Sequence, residues 1–240
     1  IYWQSLKNTV KIWGVNIVLQ LGLAFLLTIV FVDIKYKIRG IAVFRAVYYL
    51  PNIIAATSIA FLFSTLLDFK YGTLNLILTK LSNSPSRIEI DWLGDPKLCF
   101  IVIAVIQAWM WFGNSFIMLM AGVMGINTDY YEAAAIDGAG RWKQFTKITL
   151  PLLKPIMLYV GITSLIGGLQ MFDLPQIMIN TQSTAYNSIR TSIMYIYKYG
   201  FGTSFGKDIG RAAAAAYVLF FIIFVFSALQ FVFMGKEEED

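Results

Sequence analysis

Residues 132–155 read EAAAIDGAGRWKQFTKITLPLLKP, a compact charged segment in an otherwise apolar chain. The segment holds two carboxylates, four basic residues, two glycines and two prolines. Apolar stretches flank it at about 98–124 and about 156–179. Each stretch is long enough to cross a bilayer as a helix, which takes about 20 residues. The fold therefore depends on why a charged, glycine-punctuated segment separates two stretches of membrane length.

The composition of the whole chain is that of a membrane protein. Its 240 residues are 58% hydrophobic and 14% charged, whereas a soluble domain is about 45–50% apolar and about 25% charged. The formal net charge is +5. The basic residues stand near the ends of the apolar stretches, which suits lipid headgroups better than nucleic acid.

Residues that commonly carry enzyme chemistry are scarce. The chain has no histidine, which removes the commonest general base and the commonest metal ligand. Its single cysteine, Cys99, has no partner for an internal disulfide and lies in an apolar run, so packing is its expected role. We therefore expect neither a catalytic site nor a metal site.

Five apolar stretches predict transmembrane helices, at about 11–32, 41–67, 98–124, 156–179 and 210–234. A helix satisfies its own backbone hydrogen bonds, as the lipid interior requires. The connections lie at about 33–40, 68–97, 125–155 and 180–209; the first is short, and none resembles a soluble domain. The sequence thus predicts an all-α membrane protein with a single domain over residues 1–240.

The basic residues also bear on orientation. Five spans place the two ends of the chain on opposite sides of the membrane. The Lys and Arg totals of the two sides are nearly equal, but Lys35, Lys37, Arg39 and Arg45 crowd around the short first connection. The positive-inside rule gives most weight to short loops. We therefore expect the first and third connections and the C-terminus to be cytoplasmic.

The third connection contains the signals of a short helix. Residues 127–129 each offer an N-terminal cap, and Glu132 follows Asp129 at the spacing of a capping box. The alanines at 133–135 are strong helix formers with small side chains, so another body could approach such a helix closely. Gly138 is expected to end the helix in the left-handed conformation.

A second helix is predicted from about Arg141. Apolar residues recur there at three- and four-residue spacing, which indicates one apolar stripe. The stripe consists of Trp142, Phe145, Ile148 and Leu152. Pro151 and Pro155 are expected to kink or restart the helix where the next span begins.

These residues resemble the EAA loop of binding-protein-dependent ABC importer permeases. The family pattern is EAA, three residues, Gly, nine residues and I-x-L-P. Every spacing matches, from Glu132-Ala133-Ala134 through Gly138 to Ile148-x-Leu150-Pro151. We call residues 125–155 the EAA segment.

The resemblance implies a type I ABC importer permease bundle. In such a bundle the EAA segment forms a cytoplasmic coupling helix that docks into a cleft on an ATPase subunit and transmits the motion of that subunit. Asp137 and Ala139 also match the commoner form of the motif, EAAxxDGA. The implied docking residues are Glu132, Ala133, Ala134, Asp137, Gly138 and Ala139.

Other stretches look like the carbohydrate branch of these permeases, namely Leu50-Pro51, LQMFD at 169–173 and GRAA at 210–213. The chain departs from that branch at 180–184, where NTQST stands in place of T-x-G-G-P. This departure leaves the geometry of the loop and the identity of the sugar open. Because such permeases usually have six or more spans, the resemblance also implies a helix ahead of Ile1.

Polar residues within the predicted spans are candidates for a translocation path, since burying them in lipid is costly. The alternative is helix–helix hydrogen bonding, which is our interpretation of Asn16, Gln20 and Thr28. Trp111 and Asn114 share a helix face on the third span, and an aromatic face beside an amide suits a sugar.

Related sugar permeases keep substrate residues on the third and fourth spans, so the resemblance extends the candidacy to both. Asn52 is added because Pro51 breaks the second span, and broken transporter helices often line a cavity. The substrate-path candidates are Asn52, Trp111, Asn114, Gly168, Gln170 and Met171.

The leading interpretation is a permease subunit that takes up a carbohydrate, in particular an oligosaccharide, across the cell membrane. No G-x-x-x-x-G-K-[ST] motif occurs, so ATP and Mg²⁺ are expected on a separate subunit and no cofactor on this chain. The implied partners are a second, different permease chain, two ATP-binding subunits, an extracytoplasmic sugar-binding protein and the lipid bilayer.

Three alternatives stay open at this point. The first is an ABC permease for a non-sugar solute. The second is an ATP-independent channel or carrier, which would leave the EAA segment unexplained. The third is a membrane enzyme, although Asp129, Glu132 and Asp137 lack the histidine, serine–base pair or metal-ligand spacing that such chemistry needs.

Overall fold

The computed structural model describes residues 1–31, 41–82, 86–179, 183, 185–202 and 207–235. Within these ranges every regular element is helical. The first expected connection and most of the NTQST stretch lie outside the described residues. The elements in chain order are α1 Tyr2–Phe31, α2 Ile41–Ile53, α3 Ala56–Leu66, α4 Thr73–Leu81, α5 Pro96–Met124, α6 Thr128–Ile136, α7 Arg141–Gln144, a π-helical turn Phe145–Thr149, α8 Leu150–Leu152, α9 Lys154–Leu169, α10 Asp173–Met178, α11 Tyr186–Ile189, α12 Ser192–Phe201 and α13 Ile209–Gly235.

Four stretches of the described chain are long and apolar enough to cross a membrane, namely Tyr2–Val30, Pro96–Met124, Lys154–Met178 and Ile209–Phe233. The last three agree closely with the expected spans, whereas the first begins well before the expected start near residue 11. The early start has a physical reason: Tyr2, Ser5, Asn8 and Thr9 are polar, yet they lie in α1 and make buried or half-buried hydrogen bonds.

The stretch expected as one span at 41–67 consists of two helices. Only together are α2 and α3 long and apolar enough to cross a membrane, and the helix is interrupted between them at Ile54 and Ala55. Pro51 lies inside the last turn of α2, where its ring removes a backbone donor and disfavours helical geometry for the preceding residue. The described residues therefore offer up to five spans, if this interrupted pair counts as one.

The described residues divide into two compact units. Unit one comprises Ile1–Asn16, Ile54–Ala108 and Ile166–Ile223. Unit two comprises Ile17–Ile53, Trp109–Leu165 and Phe224–Asp240, and so contains the EAA segment.

Unit two has an apolar core between its parts of α1, α2 and α5. Ala24, Phe116 and Leu119 are almost fully buried. The ring of Tyr48 meets Phe116 edge to face with centroids 5.7 Å apart, a favourable aromatic geometry. A side chain at Gly113 would run into the backbone of Tyr48, so glycine allows the close approach of α2 and α5.

A buried hydrogen-bond network also joins three helices of unit two. Gln20 Nε2 on α1 donates to Ser115 Oγ on α5 at 2.7 Å. Ser164 Oγ on α9 donates to Gln20 Oε1 at 3.2 Å. The interpretation of Gln20 as a residue of helix–helix hydrogen bonding is confirmed. Asn16 differs, because its buried Nδ2 has no hydrogen-bond partner among the described residues.

In unit one, polar side chains tie the first turns of α1 to the segment before α12. Asn8 Nδ2 donates to the carbonyl of Asn187 at 2.9 Å, and the amide of Ser192 donates to Thr9 Oγ1 at 2.9 Å. The buried Arg190 donates from Nε to Ser5 Oγ at 3.0 Å. These paired groups explain how a polar stripe is accommodated on a long apolar helix.

Candidate functional site

The N-terminus of α6 in the EAA segment is capped by Asn127. The side chain of Asn127 accepts a hydrogen bond from the backbone amide of Asp129 at 3.1 Å, and its Nδ2 donates to the Asp129 carboxylate at 3.0 Å. Asn127 is one of the three expected caps. Asp129 is already the second helical residue, so it lies in the first turn, where the helix dipole favours an anion, and is not itself the cap that Glu132 would reach.

Gly138 ends α6 as expected from the sequence. Its φ angle is +75°, in the left-handed region that costs an L-residue energy. The amide of Gly138 donates to Ala135 O at 3.1 Å and that of Ala139 to Ala134 O at 2.8 Å. These two bonds are a Schellman motif. Nothing lies within 4 Å of the position where a Cβ of Gly138 would stand.

The second helix of the EAA segment begins at Arg141, as predicted, but α7 passes directly into the π-helical turn Phe145–Thr149. There the amide of Leu150 bonds to the carbonyl of Phe145, five residues back. Pro151, which has no amide hydrogen, stands two residues after the end of the turn. The π-helical turn thus lies where a proline interrupts the ordinary helical hydrogen bonds.

Side-chain hydrogen bonds close the EAA segment into a hairpin. The hydroxyls of Tyr131 on α6 and Thr149 on the π-helical turn are 2.9 Å apart, and both residues are buried. Gln144 Nε2 donates to the carbonyl of Ala139 at 3.1 Å. Because these contacts span both halves, α6 is held in a defined position relative to the turn that leads into α9.

A cavity of about 650 Å³ lies beside this hairpin within unit two. Its polar lining includes Glu132, Gln144 and Arg141, and its apolar lining includes Ile29 and Phe145. The cavity faces one side of α6, on which Glu132 and Ala135 stand.

The other side of α6 points away from the cavity. Ile136 is 87% exposed there, and Ala133 and Asp137 are exposed as well. Trp142 at the start of α7 is 73% exposed. Of the six docking candidates, Glu132, Gly138 and Ala139 line the cavity, Ala133 and Asp137 face outward, and Ala134 is half-buried.

Three of the substrate-path candidates belong to unit two and lie close together. Asn52 Nδ2 donates to the carbonyl of Met110 at 3.4 Å, which places the end of α2 beside the part of α5 that carries Trp111 and Asn114. All three candidate side chains are half-buried.

The remaining candidates belong to unit one. A Cβ at Gly168 would collide with the indole of Trp13, so this glycine allows α1 and α9 to pack closely. Gln170 is exposed in the break between α9 and α10. Met171 is buried, and its carbonyl accepts a hydrogen bond from Thr191 Oγ1 at 2.9 Å.

Two residues that the structure shows in buried contacts, Trp13 and Arg190, were not predicted from the sequence. Trp13 was not considered as the partner of Gly168, since nothing in the sequence pairs residues so far apart. Arg190 was overlooked although it is a basic residue in a Tyr-rich stretch. Burial raises the pKa of the neighbouring Tyr186, while Arg190 acts in the opposite direction.

Within the described ranges, no three His, Cys, Asp or Glu side chains are grouped to hold a metal ion.

Comparison with protein families gives a match over most of the chain. Residues 23–234 match the family described as binding-protein-dependent transport system inner membrane component. The match includes the whole EAA segment and all six substrate-path candidates.

Curated relatives agree with the family match. The chain is 32% identical over 235 residues to the lactose transport system permease protein LacF of Rhizobium radiobacter, covering 96% of this chain and 75% of the relative. It is 29% identical over 242 residues to the trehalose/maltose transport system permease protein MalF of Thermococcus litoralis, covering 100% and 76%.

A solved structure shows the same fold. A chain of a bacterial ABC transporter involved in the import of the acidic polysaccharide alginate superposes with a TM-score of 0.85 at 24% identity, covering 97% of this chain and 78% of that chain. The expected all-α fold of a type I ABC importer permease is confirmed. With the family match across 23–234 and the EAA segment inside it, the chain belongs to the binding-protein-dependent transport system inner membrane components.

Proposed function

We propose that this protein is the transmembrane permease subunit of an ATP-driven importer for a carbohydrate, in particular an oligosaccharide. The names of its relatives support the substrate class, since they transport lactose and trehalose or maltose. The observation that carries the mechanism is the short capped helix α6, which ends at a positive-φ glycine inside a matching EAA motif. A short helix with an alanine-rich surface lets another body come close to its backbone.

In this mechanism the ATPase is a separate subunit, and ATP and Mg²⁺ bind there. The outward side of α6, with Ala133, Ile136 and Asp137, supplies the contact surface. The hydrogen bond between Tyr131 and Thr149 and the π-helical turn connect that surface with α9. Movement of the ATPase would thus reach the membrane helices through a hairpin whose two halves are linked by side chains.

Orientation and partners follow from the same proposal. Because ATP is cytoplasmic, the EAA segment and, by the number of spans, the C-terminus are cytoplasmic. The complex would hold a second permease chain and two ATP-binding subunits, with an extracytoplasmic binding protein that delivers the sugar. A binding protein is part of one solved neighbour, which is a complex with an alginate pentasaccharide-bound periplasmic protein.

Two glycines of the EAA segment provide a matched test of docking. At both Gly138 and Gly140 an added Cβ meets no atom of this chain within 4 Å, but Gly138 has φ +75° and Gly140 has φ −68°. Gly138→Val imposes a strain of about 1–2 kcal/mol on the end of α6, the helix that carries the proposed contact surface. Gly140→Val adds the same side chain without that strain.

We expect the Gly138→Val importer to insert into the membrane normally but to lose ATP-dependent uptake and co-purification with the ATPase. Gly140→Val should keep most of both. The measurement is uptake by proteoliposomes together with subunit recovery. Uptake by Gly138→Val at the unmodified rate would contradict the assignment of α6 as the docking helix.

We propose two sets of residues for the substrate path, each within one unit: Asn52, Trp111 and Asn114 in unit two, and Gly168 near the end of α9 with Gln170 and Met171 just after it in unit one. Sugars are neutral and polar, so an uncharged site of aromatic and amide side chains suits them. Each sugar hydroxyl that loses its partner costs about 1–3 kcal/mol.

Asn114→Ala tests the part of the path on α5. We expect uptake at subsaturating sugar to fall about tenfold, which corresponds to about 1.4 kcal/mol within the range for one lost hydrogen bond, while ATPase co-purification persists. Gln20→Ala is unsuitable as a control because Gln20 bridges three helices. Val105→Ala on the same helix, where Val105 is exposed, is the matched control. Equal uptake by both variants would remove Asn114 from the path.

A further inference from the structure

The described residues between α3 and α5 fold into a small lobe around one buried side-chain amide. Asn75 on α4 is fully buried. Its Nδ2 donates to the carbonyls of Phe69 at 3.3 Å and Ile90 at 3.0 Å, and its Oδ1 accepts from Trp92 Nε1 at 2.8 Å. We call the described residues of 68–95 the Asn75 lobe.

The inner face of α4 is polar. Thr79, one turn after Asn75, donates to the carbonyl of Asn75 at 2.7 Å and accepts from the amide of Ile88 at 2.9 Å. The polar groups that α4 turns towards its own lobe are therefore used in hydrogen bonds within the lobe.

The outer face of α4 is mainly apolar, with Thr73 at its start and Lys80 near its end as the exposed polar residues. Leu76, Ile77 and Leu81 are exposed there, Leu81 to 78%. A helix at a water-facing surface has the opposite arrangement, with apolar residues inside and polar residues outside. The inverted pattern of α4 indicates that its outer face meets an apolar environment.

The surroundings of this face point to lipid. α4 packs against α3, which is half of the interrupted span and exposes Phe61 and Leu62. Tyr71 just before α4 and Lys80 near its end are exposed. Tyrosine and lysine are the residues that place a polar tip among headgroups while their apolar parts reach deeper.

We propose that α4 is an in-plane membrane anchor, lying at the bilayer interface with Leu76, Ile77 and Leu81 against the acyl chains. A binding protein that arrives and departs would leave these three side chains in water for part of every cycle, whereas the bilayer covers them permanently. A short helix of this kind lies in the interface and does not span the membrane. The interrupted α2–α3 span would then be fixed at one end by a lobe that lipid holds in place.

The test uses the assembled importer in lipid nanodiscs. Cys99 is the single cysteine of the chain, so Cys99→Ala provides a background for Ile77→Cys and, separately, Leu81→Cys, each labelled with an environment-sensitive nitrobenzoxadiazole dye. Glu89→Cys, exposed in the same lobe, is the aqueous control, and the complex without an introduced cysteine gives the background labelling of the other subunits.

We expect lipids with a doxyl group near the headgroup to quench the dye at residues 77 and 81, and aqueous Co²⁺ to quench it mainly at residue 89. Strong Co²⁺ quenching at 77 and 81 would show that the face is in water and overturn the proposal. Protection from both quenchers would show that a protein covers it and would also overturn the proposal. So would protection that appears only when the binding protein is added.

Discussion

Two helices of nine residues, α4 and α6, lie in connections between membrane stretches, and they are stabilised in different ways. The ends of α6 are defined by its neighbours in sequence, through the Asn127 cap and the Schellman motif at Gly138. α4 has no side-chain cap at its N-terminus and is fixed by Asn75, which binds groups up to 17 residues away. Local signals thus define α6, and tertiary contacts define α4.

Two glycines show the same contrast. Gly72 precedes α4 with an ordinary negative φ, but a Cβ there would collide with the backbone of Asp68. Gly138 follows α6 with free space around it, but its φ is positive. One glycine is needed because the chain approaches itself closely, and the other because of its own backbone conformation.

The largest effect should come from the residue that organises α4. Asn75→Ala removes three hydrogen bonds and leaves the indole N–H of Trp92 and two carbonyls without that partner. Each unsatisfied buried group costs about 1–3 kcal/mol, and we expect a loss of about 3 kcal/mol after partial relaxation. The measurement is the thermal unfolding of the detergent-solubilised importer, with protease cleavage inside the Asn75 lobe as the local readout.

Thr73→Ala is the control for this change, because Thr73 is exposed on the same helix. It should leave both readouts nearly unchanged. If Asn75→Ala is no more sensitive to heat or protease than Thr73→Ala, tertiary hydrogen bonds do not define α4 and the contrast with α6 fails.

The same contrast explains what could be predicted from the sequence. The start of the second EAA helix at Arg141, the stop at Gly138 and the ends of most long apolar helices depend on nearby residues, and the sequence places them close to where the structure has them. Residues 73–81, which form α4, carry only a weak amphipathic pattern in the sequence. Its inverted faces could not be recognised without knowing that Asn75 and Thr79 have partners in the lobe.

The two candidate sites differ in the same way, because one depends on nearby residues and the other on contacts between distant helices. The EAA motif has fixed spacing, so the docking candidates could be proposed together from the sequence. The substrate-path candidates depend on which helices meet, and the close approach of Gly168 to Trp13 joins positions that are far apart in the chain. The interruption at Ile54 and Ala55 was equally hard to place, since Pro51 indicates a break without showing where the next helix begins.

The smallest effect should come from the local signal at the start of α6. Asn127→Ala removes the acceptor for the backbone amide of Asp129, and an N-cap of this kind contributes about 1 kcal/mol. We expect the amides of the first turn of α6 to exchange hydrogen about fivefold faster, since exchange follows the free energy of local opening, while the unfolding temperature of the importer hardly changes.

Asn127→Asp is the matched variant, because a carboxylate is an equally good cap and also suits the positive end of the helix dipole. Its first turn should be protected at least as well as that of the unmodified protein. Equal exchange in Asn127→Ala and Asn127→Asp would mean that the rest of the hairpin, through Tyr131–Thr149 and Gln144–Ala139, holds the start of α6. In that case α6, like α4, would owe its position to contacts distant in sequence, and the EAA motif would specify a surface for the ATPase more than a helix.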